Sequence, residues 1–325
     1  MKVSIIIPVY FNEENLVLLY EDIRRKVLDA DEFDYEMLFV DDGSRDHSWE
    51  VLKGLREQDQ KVRLIKLSRN FGSHAAVLCG LENCTGDCAI VKAADLQEPS
   101  ELILKMAESW KKGNHVVLAA RKARQEPLRQ RFFAGMYYWM VQKTALPGMP
   151  KGGFDVYLLD RKVVAVLVSM QEKNSALTGQ ILWSGFRTDV VYYTRLARHA
   201  GQSRWTFKKK ARLVMDTMFS FSTLPITMVL AVGACSFTGA LLWAGVVLAA
   251  KLTGSITVSG WTTLFILQLF SFGVIMLTLG ILGEYLWRTF DASRNRPPYI
   301  IEHIDSDGAG MEKRMVGLTG GKQNE

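Results

Sequence analysis

Cysteine is scarce in this 325-residue chain: Cys79, Cys84, Cys88 and Cys235 are all it has. Four cysteines cannot staple a chain this long, which excludes a disulfide-built scaffold and suits a reducing compartment. Eight prolines and 26 glycines are too few for a fibrous protein. Neither Gly-x-Gly-x-x-Gly nor Gly-x-x-x-x-Gly-Lys-Ser/Thr occurs, so dinucleotide and P-loop readings have no support. The five histidines lack ligand spacing, and His74 and His199 read as surface or capping residues. A secretory leader is not expected, because the apolar run Val3–Val9 is short and leads into Tyr10-Phe-Asn-Glu-Glu14 without a cleavage-type site. The most informative absence is charge. From Thr217 to Gly283 only Lys251 is charged, one residue in 67, in a chain that is 23% charged overall. A soluble domain of ordinary composition does not do this.

Two spanning helices account for that stretch, at about 225–250 and 262–284. A helix of about 22 residues rises about 33 Å, enough for a hydrocarbon core of about 30 Å. Lys208, Lys209, Lys210 and Arg212 precede the first span, and Arg288, Arg294 and Arg296 follow the second. The intervening loop offers only Lys251, so both flanks are expected in the cytoplasm and the loop outside. The expected location is a multi-pass protein of the inner (cytoplasmic) membrane with residues 1–222 in the cytosol. Residues 289–325 read as a cytoplasmic tail, polar and Gly-rich from Asp305 and partly disordered.

Ahead of the spans, strand-length apolar runs recur at Val3–Val9, Glu36–Val40, Val62–Leu67, Cys88–Val91 and Val116–Ala120. Helical patterns lie between them, at Glu13–Leu28, Ser48–Glu57, His74–Glu82 and Ser100–Lys111. This alternation predicts right-handed βαβ units and an α/β domain with a parallel-rich sheet. Ligands in open sheets of this kind bind at the carboxyl ends of the strands. Pro8, Tyr10 and Glu13 follow the first strand, Asp41-Asp42-Gly43-Ser44 the second, and Asp95-Leu96-Gln97-Glu98-Pro99 the fourth.

These loops admit more than one use. Asp41 and Asp42 can accept hydrogen bonds from a base imide or ribose hydroxyls, or the tetrapeptide merely caps the next helix. Asp95 and Gln97, two residues apart, can supply oxygens to a hard divalent cation whose shell is completed by water and diphosphate, or form a capped loop. Lys92 reads as a strand-end lysine in solvent, with a donor contact as the alternative. Cys79, Cys84 and Cys88 fit core positions better than a metal cluster. In a helix near Arg129–Lys143, Phe132, Met136, Trp139 and Met140 share one face with Tyr137 and Tyr138 beside it. That face suits either a bilayer interface or packing within the protein. A second interfacial helix is expected at 208–222.

Several motifs then stand in a fixed order: Ser4-Ile-Ile-Ile-Pro-Val-Tyr-Phe-Asn-Glu-Glu14, Val40-Asp-Asp-Gly-Ser44, Arg69-Asn-Phe-Gly72 and Ala94-Asp-Leu-Gln-Glu-Pro99. Together they resemble the family 2 glycosyltransferases. The two C-terminal spans narrow the resemblance to polyprenyl-phosphate glycosyltransferases of the dolichyl-phosphate mannose synthase and bactoprenol glucosyltransferase type. The resemblance covers about residues 1–300. It implies a Rossmann-like fold of the glycosyltransferase A type. It also implies sugar transfer from a nucleotide diphosphate, with UDP favoured, to a polyprenyl phosphate such as undecaprenyl phosphate for cell-envelope glycan modification. On matching positions, Pro8, Tyr10, Glu13, Asp41 and Asp42 would hold the nucleoside. Asp95 and Gln97 would hold Mg²⁺ or Mn²⁺, and Arg121 would face the diphosphate. Asp155, in Gly153-Phe-Asp155, would lie near the acceptor. Arg198, Ser203 and Arg204 fall in a segment resembling Arg-x-x-Gly-x-Ser-Lys, which binds the acceptor phosphate. The family's usual Asp-Ala-Asp-Leu-Gln reads Ala93-Ala-Asp-Leu-Gln97 here, so one carboxylate is missing.

The expected partners are a nucleotide sugar, a polyprenyl phosphate and the bilayer, with no nucleic acid; a homo-oligomer stays open. Two rival readings are a processive polysaccharide synthase and a non-catalytic, membrane-tethered nucleotide-sugar-binding scaffold. The first typically carries Gln-x-x-Arg-Trp and more spans, whereas Gln202-Ser-Arg-Trp205 is one residue short. The second is suggested by Ala93.

Overall fold

The computed structural model describes residues 1–29, 33–122, 128–150, 152–170, 172, 175–196, 207–253 and 260–305. The chain runs β1 (Lys2–Val9), α1 (Glu13–Ile23, closing in a wider π turn at Arg24–Leu28), β2 (Asp34–Asp41), α2 (Ser48–Gln58), β3 (Val62–Leu67), α3 (Ser73–Asn83), β4 (Cys88–Val91), α4 (Leu102–Lys111) and β5 (Val116–Arg121). It continues through α5 (Leu128–Thr144), β6 (Phe154–Asp160), α6 (Arg161–Met170), α7 (Leu177–Trp183), β7 (Thr188–Tyr193), α8 (Phe207–Phe221), α9 (Leu224–Leu252), α10 (Trp261–Ser293) and β8 (Ile301–Asp305).

The eight strands form one sheet in the order β7-β5-β6-β4-β1-β2-β3-β8. β1 pairs in parallel with β2 and with β4, β2 with β3, and β5 with β7. β6 is antiparallel to both β4 and β5, and β8 is antiparallel to β3. The isoleucines of β1 show why this sheet is covered on both faces. Ile5 and Ile7 enter one apolar cluster with Leu16, Leu19 and Leu52, while Ile6 enters the other with Leu38, Val40 and Ala76. Both faces of a doubly covered strand are buried, which explains the apolar run Val3–Val9; its one polar member, Ser4, is buried with its hydroxyl donating to Glu36.

Residues 289–325 are not simply a tail. α10 runs on to Ser293, beyond the expected end of the second span, and Tyr299–Asp305 return to the sheet. Residues 306–325 lie outside the described residues.

Leu224–Leu252 and Leu264–Ser293 are long and apolar enough to cross a membrane, and their most apolar windows are wholly unburied by protein. α8 leads into them. Met218 is buried, and Val214, Phe221 and Leu224 pack on the second apolar cluster. α7 and α8 meet at Gly179, where a Cβ would stand 2.3 Å from the Phe221 ring. Asp216 of α8 pairs with Arg288 of α10 at 2.8 Å, and Arg288 Nε also donates to Glu284 Oε1 at 2.9 Å. The anchor therefore joins the sheet domain through packed and paired side chains. In α5, Met136 and Trp139 are exposed, but Met140, expected on the same face, packs against the core with Tyr138. The side chains of residues 128–134 and of Tyr137 lie outside the described residues.

Candidate active site

The site is built on the carboxyl ends of β1, β2, β4, β5 and the start of β6. Two of the three non-glycine residues with positive φ, among those described, fall here: Phe11 (φ 56) after β1 and Leu96 (φ 58) after β4. Bulky residues adopt this conformation only where the surroundings impose it, and such positions concentrate at functional sites.

After β1, the Tyr10 backbone N–H donates to Asn12 Oδ1 at 3.0 Å, and Phe11 N–H donates to Ser44 Oγ at 3.0 Å. Tyr10 and Phe11 meet edge to face, with centroids 4.6 Å apart. Pro8 is half-buried in β1, and Glu13 Oε2 accepts from the His47 backbone N–H at 2.8 Å. Gly43, at φ 67, closes the β2 turn; a Cβ there would stand 2.6 Å from the Arg69 carbonyl carbon, so only glycine fits.

The adjacent aspartates divide their work. Both oxygens of Asp42 accept backbone N–H groups, from Phe71 at 2.7 Å and Gly72 at 2.9 Å. Asp41 is fully buried; Oδ1 accepts from Ser44 N–H at 3.1 Å, and Oδ2 has no hydrogen-bond partner. Burial raises both carboxyl pKa values above the usual carboxylate range. An orphaned, buried acceptor is costly unless a ligand satisfies it.

Asp95, Gln97 and Glu98 lie in the turn after β4. Asp95 Oδ1 accepts from Gln97 N–H at 3.2 Å, and Leu96, between them, brings the two side chains to one side. Arg195, just past β7, donates to Gln97 Oε1 and lies 3.9 Å from Asp95 Oδ2. The Leu196 N–H donates to the Gln97 carbonyl at 2.9 Å, docking the post-β7 segment on this turn. Arg195 was missed by sequence reasoning; its one signal is a cation immediately after an apolar strand.

Lys92 corrects the expectation of a solvent-exposed lysine. It is 1% exposed, and Nζ donates to the Glu98 carbonyl at 2.5 Å. Burial pushes the Lys92 pKa down. Glu98 is buried too, its Oε2 without a hydrogen-bond partner; burial, then the Asp95 charge, pushes its carboxyl up to about 7. Arg121, at the end of β5, pairs with Asp155 at the start of β6. Asp95, Glu98, Asp155, Arg121, Arg195 and Lys92 thus form one mixed-charge cluster. Arg198, Ser203 and Arg204 lie outside the described residues.

One carboxylate and one amide oxygen on a single turn fit a hard divalent cation that takes its other ligands from phosphate and water. No group of three or more acidic, His or Cys ligands occurs among the described residues, so no all-protein cage is formed. Cys79, Cys84 and Cys88 are buried and unpaired, as expected of core residues.

Residues 4–156 match the model of glycosyl transferase family 2. The chain is 37% identical over 305 residues to the uncharacterized glycosyltransferase YkcC of Bacillus subtilis, covering 93% of this chain and 94% of that one. The chain belongs to the family 2 glycosyltransferases. It is also 32% identical to the prophage bactoprenol glucosyl transferase homolog of Escherichia coli, over 94% of this chain and 99% of the relative. Among solved structures, mannosyl-3-phosphoglycerate synthase from Rubrobacter xylanophilus aligns with TM-score 0.47 and 15% identity, covering 67% of this chain and 72% of that one. The fold is of the glycosyltransferase A type, with a mostly parallel sheet and two apolar C-terminal helices, and the protein is a glycosyltransferase. Its family is generally dependent on a divalent metal.

Proposed function

We propose that this glycosyltransferase moves a sugar from a nucleotide diphosphate to a polyprenyl phosphate at a membrane surface. The observation that carries the reading is near full-length similarity to a bactoprenol glucosyl transferase homolog, in a chain whose sheet domain leads through α8 into two long apolar helices. UDP is the favoured nucleotide and undecaprenyl phosphate the favoured class of acceptor. Lys and Arg flanking the spans support a cytoplasmic catalytic domain in the inner membrane, with the short loop outside.

In the proposed reaction, an acceptor phosphate oxygen attacks the anomeric carbon from the face opposite the diphosphate. The bond to the diphosphate breaks, the nucleoside diphosphate leaves with the electron pair, and configuration inverts. A phosphate monoester has a second pKa of about 6, so no strong base is required. What the protein must supply is positioning of two anions and stabilisation of the departing charge. Asp41 offers its unpaired oxygen to the nucleoside, with Pro8, Tyr10 and Glu13 around it. Asp95 and Gln97 would hold Mg²⁺ or Mn²⁺, which supplies charge neutralisation at the diphosphate. Arg121 and Arg195 add fixed positive charge, Asp155 orients Arg121 and the acceptor, and Arg198, Ser203 and Arg204 take the acceptor phosphate.

Incubation with labelled UDP-sugars, polyprenyl phosphate and Mg²⁺ should yield a labelled lipid extractable into organic solvent; polymer would favour a processive synthase, and binding without turnover a scaffold. Arg204→Ala should raise the acceptor KM at least tenfold with donor binding unchanged, as loss of a charged hydrogen bond costs ~2 kcal/mol. An unaltered acceptor response removes Arg204 from the site. Asp41→Asn and Asp42→Asn should separate binding from folding. Asp41→Asn weakens nucleotide binding without lowering the melting temperature, since it discharges an unpaired oxygen. Asp42→Asn places an N–H₂ against one of two backbone donors and costs ~2 kcal/mol of stability. Equal melting shifts in the two variants would defeat this division.

A further inference from the structure

The strand that follows the second span begins at a cavity. β8 aligns His303 with Lys66 of β3, with a register shift between Lys66 and Leu67, and Ser68 N–H donates to the Ile300 carbonyl at 3.0 Å. Its docking is held from several sides. Tyr299 is buried and donates to Glu82, Arg56 pairs with Asp305 at 3.1 Å, and the Trp49 and His303 rings meet edge to face at 5.6 Å. Glu302 reaches the rim of a cavity of about 390 Å³ lined also by Tyr10, Ser44, Arg45, Lys66 and Arg69. This cavity adjoins the ends of β1, β2 and β3, and Ser44 in its lining donates its backbone N–H to Asp41.

The charge pattern of the lining is unbalanced. Arg45, Lys66 and Arg69 are cationic, and Glu302, 3.6 Å from Lys66, is the one carboxylate among the lining residues. Without Glu302, three cations would draw the diphosphate end of a donor into this pocket. With it, Lys66 is neutralised and the rim presents an acceptor to N–H or O–H groups, which a nucleoside has and a diphosphate lacks. We propose that Glu302 is a specificity-determining residue of the donor site, contributed by β8 from beyond the membrane spans, that admits the nucleoside end and rejects the phosphate end. This rests on the donor reading above. It also makes the return strand part of the catalytic domain, so that α10 and the nucleotide pocket are joined by residues 294–300.

The test is calorimetric binding of UDP, GDP and inorganic pyrophosphate to the full chain in detergent micelles, for wild type and for Glu302→Ala, Glu302→Gln and Glu302→Asp. Loss of a hydrogen bond to a charged group predicts that UDP or GDP binding weakens about tenfold in Glu302→Ala. Pyrophosphate should bind more tightly in the same variant, and Glu302→Asp should restore the wild-type ratio. A lost packing contact would weaken all three ligands together, so an unchanged nucleotide-to-pyrophosphate ratio overturns the proposal whatever happens to the melting temperature. Glu302→Gln keeps the side chain's size, so a wild-type ratio there also overturns it. A wild-type chain that binds neither nucleotide overturns the donor reading and this inference with it. One that binds them while Glu302→Ala matches it overturns this inference alone.

Discussion

Asp95→Ala should reduce sugar transfer by about 10²–10³-fold, the range seen when one preorganised group acting on transition-state charge is removed. Three features make this side chain the pivot of the cluster. Leu96 is held at φ 58, which sets Asp95 and Gln97 side by side. Arg195 approaches both, at 3.9 Å from Asp95 and within hydrogen-bond reach of Gln97. The family's other carboxylate is Ala93 here, so the Asp-Leu-Gln turn supplies a single aspartate. Removing Asp95 also leaves Arg195 less opposed, which favours an anionic donor in the ground state. Turnover should therefore collapse while nucleotide binding in metal-free buffer holds or tightens, and rescue by excess Mg²⁺ or Mn²⁺ should be partial at best. Initial rates at saturating donor, together with a nucleotide titration, separate these effects. Full activity in Asp95→Ala refutes the assignment of Asp95 to the metal, and a parallel loss of binding and turnover makes it a mere donor contact.

The βαβ part of the fold is legible because its strands are largely buried on both faces and read as short, mostly apolar runs. Val62–Leu67 and Cys88–Val91 match their expected bounds, and the helices between differ by a residue or two. β6, β7 and β8 were not read. β6 reverses direction between two strands, so no alternation of crossover helices announces it. β8 is a short edge strand with three polar residues in five, and it pairs with β3 across the entire membrane anchor. The site divides the same way. Asp41, Asp42, Asp95 and Gln97 are visible as local motifs at strand ends. Arg195 meets Gln97 across 98 positions, and Lys92 is buried only because the Glu98 turn folds over it. Contacts made by tertiary closure leave no local periodicity to find.

Glu36→Gln should lower the stability of the sheet domain by ~3 kcal/mol without changing turnover per folded molecule. Glu36 lies near the amino-terminal edge of the sheet, away from the Asp95 turn, and its side chain is 3% exposed. Burial alone would raise its pKa. Instead Ser4 Oγ donates at 2.5 Å, Thr85 donates through N–H at 2.6 Å and Oγ1 at 2.7 Å, and Arg63 and Lys2 pair at 3.1 and 3.2 Å. Together these hold the carboxyl at about 2 against an ordinary 4.5. That difference is ~3 kcal/mol in favour of the folded carboxylate. A depressed carboxyl pKa contributes stability that is fully present above pH 4.5 and disappears as pH falls toward 2. The wild-type melting temperature should therefore fall over that window, and Glu36→Gln should be lower by roughly 6–12 °C at pH 7 with a flatter acid limb. Glutamine cannot satisfy five donors, and it leaves the half-buried Arg63 against a neutral partner, which is where most of the cost arises. Identical acid limbs in the two proteins would show that this network does not govern the domain's stability.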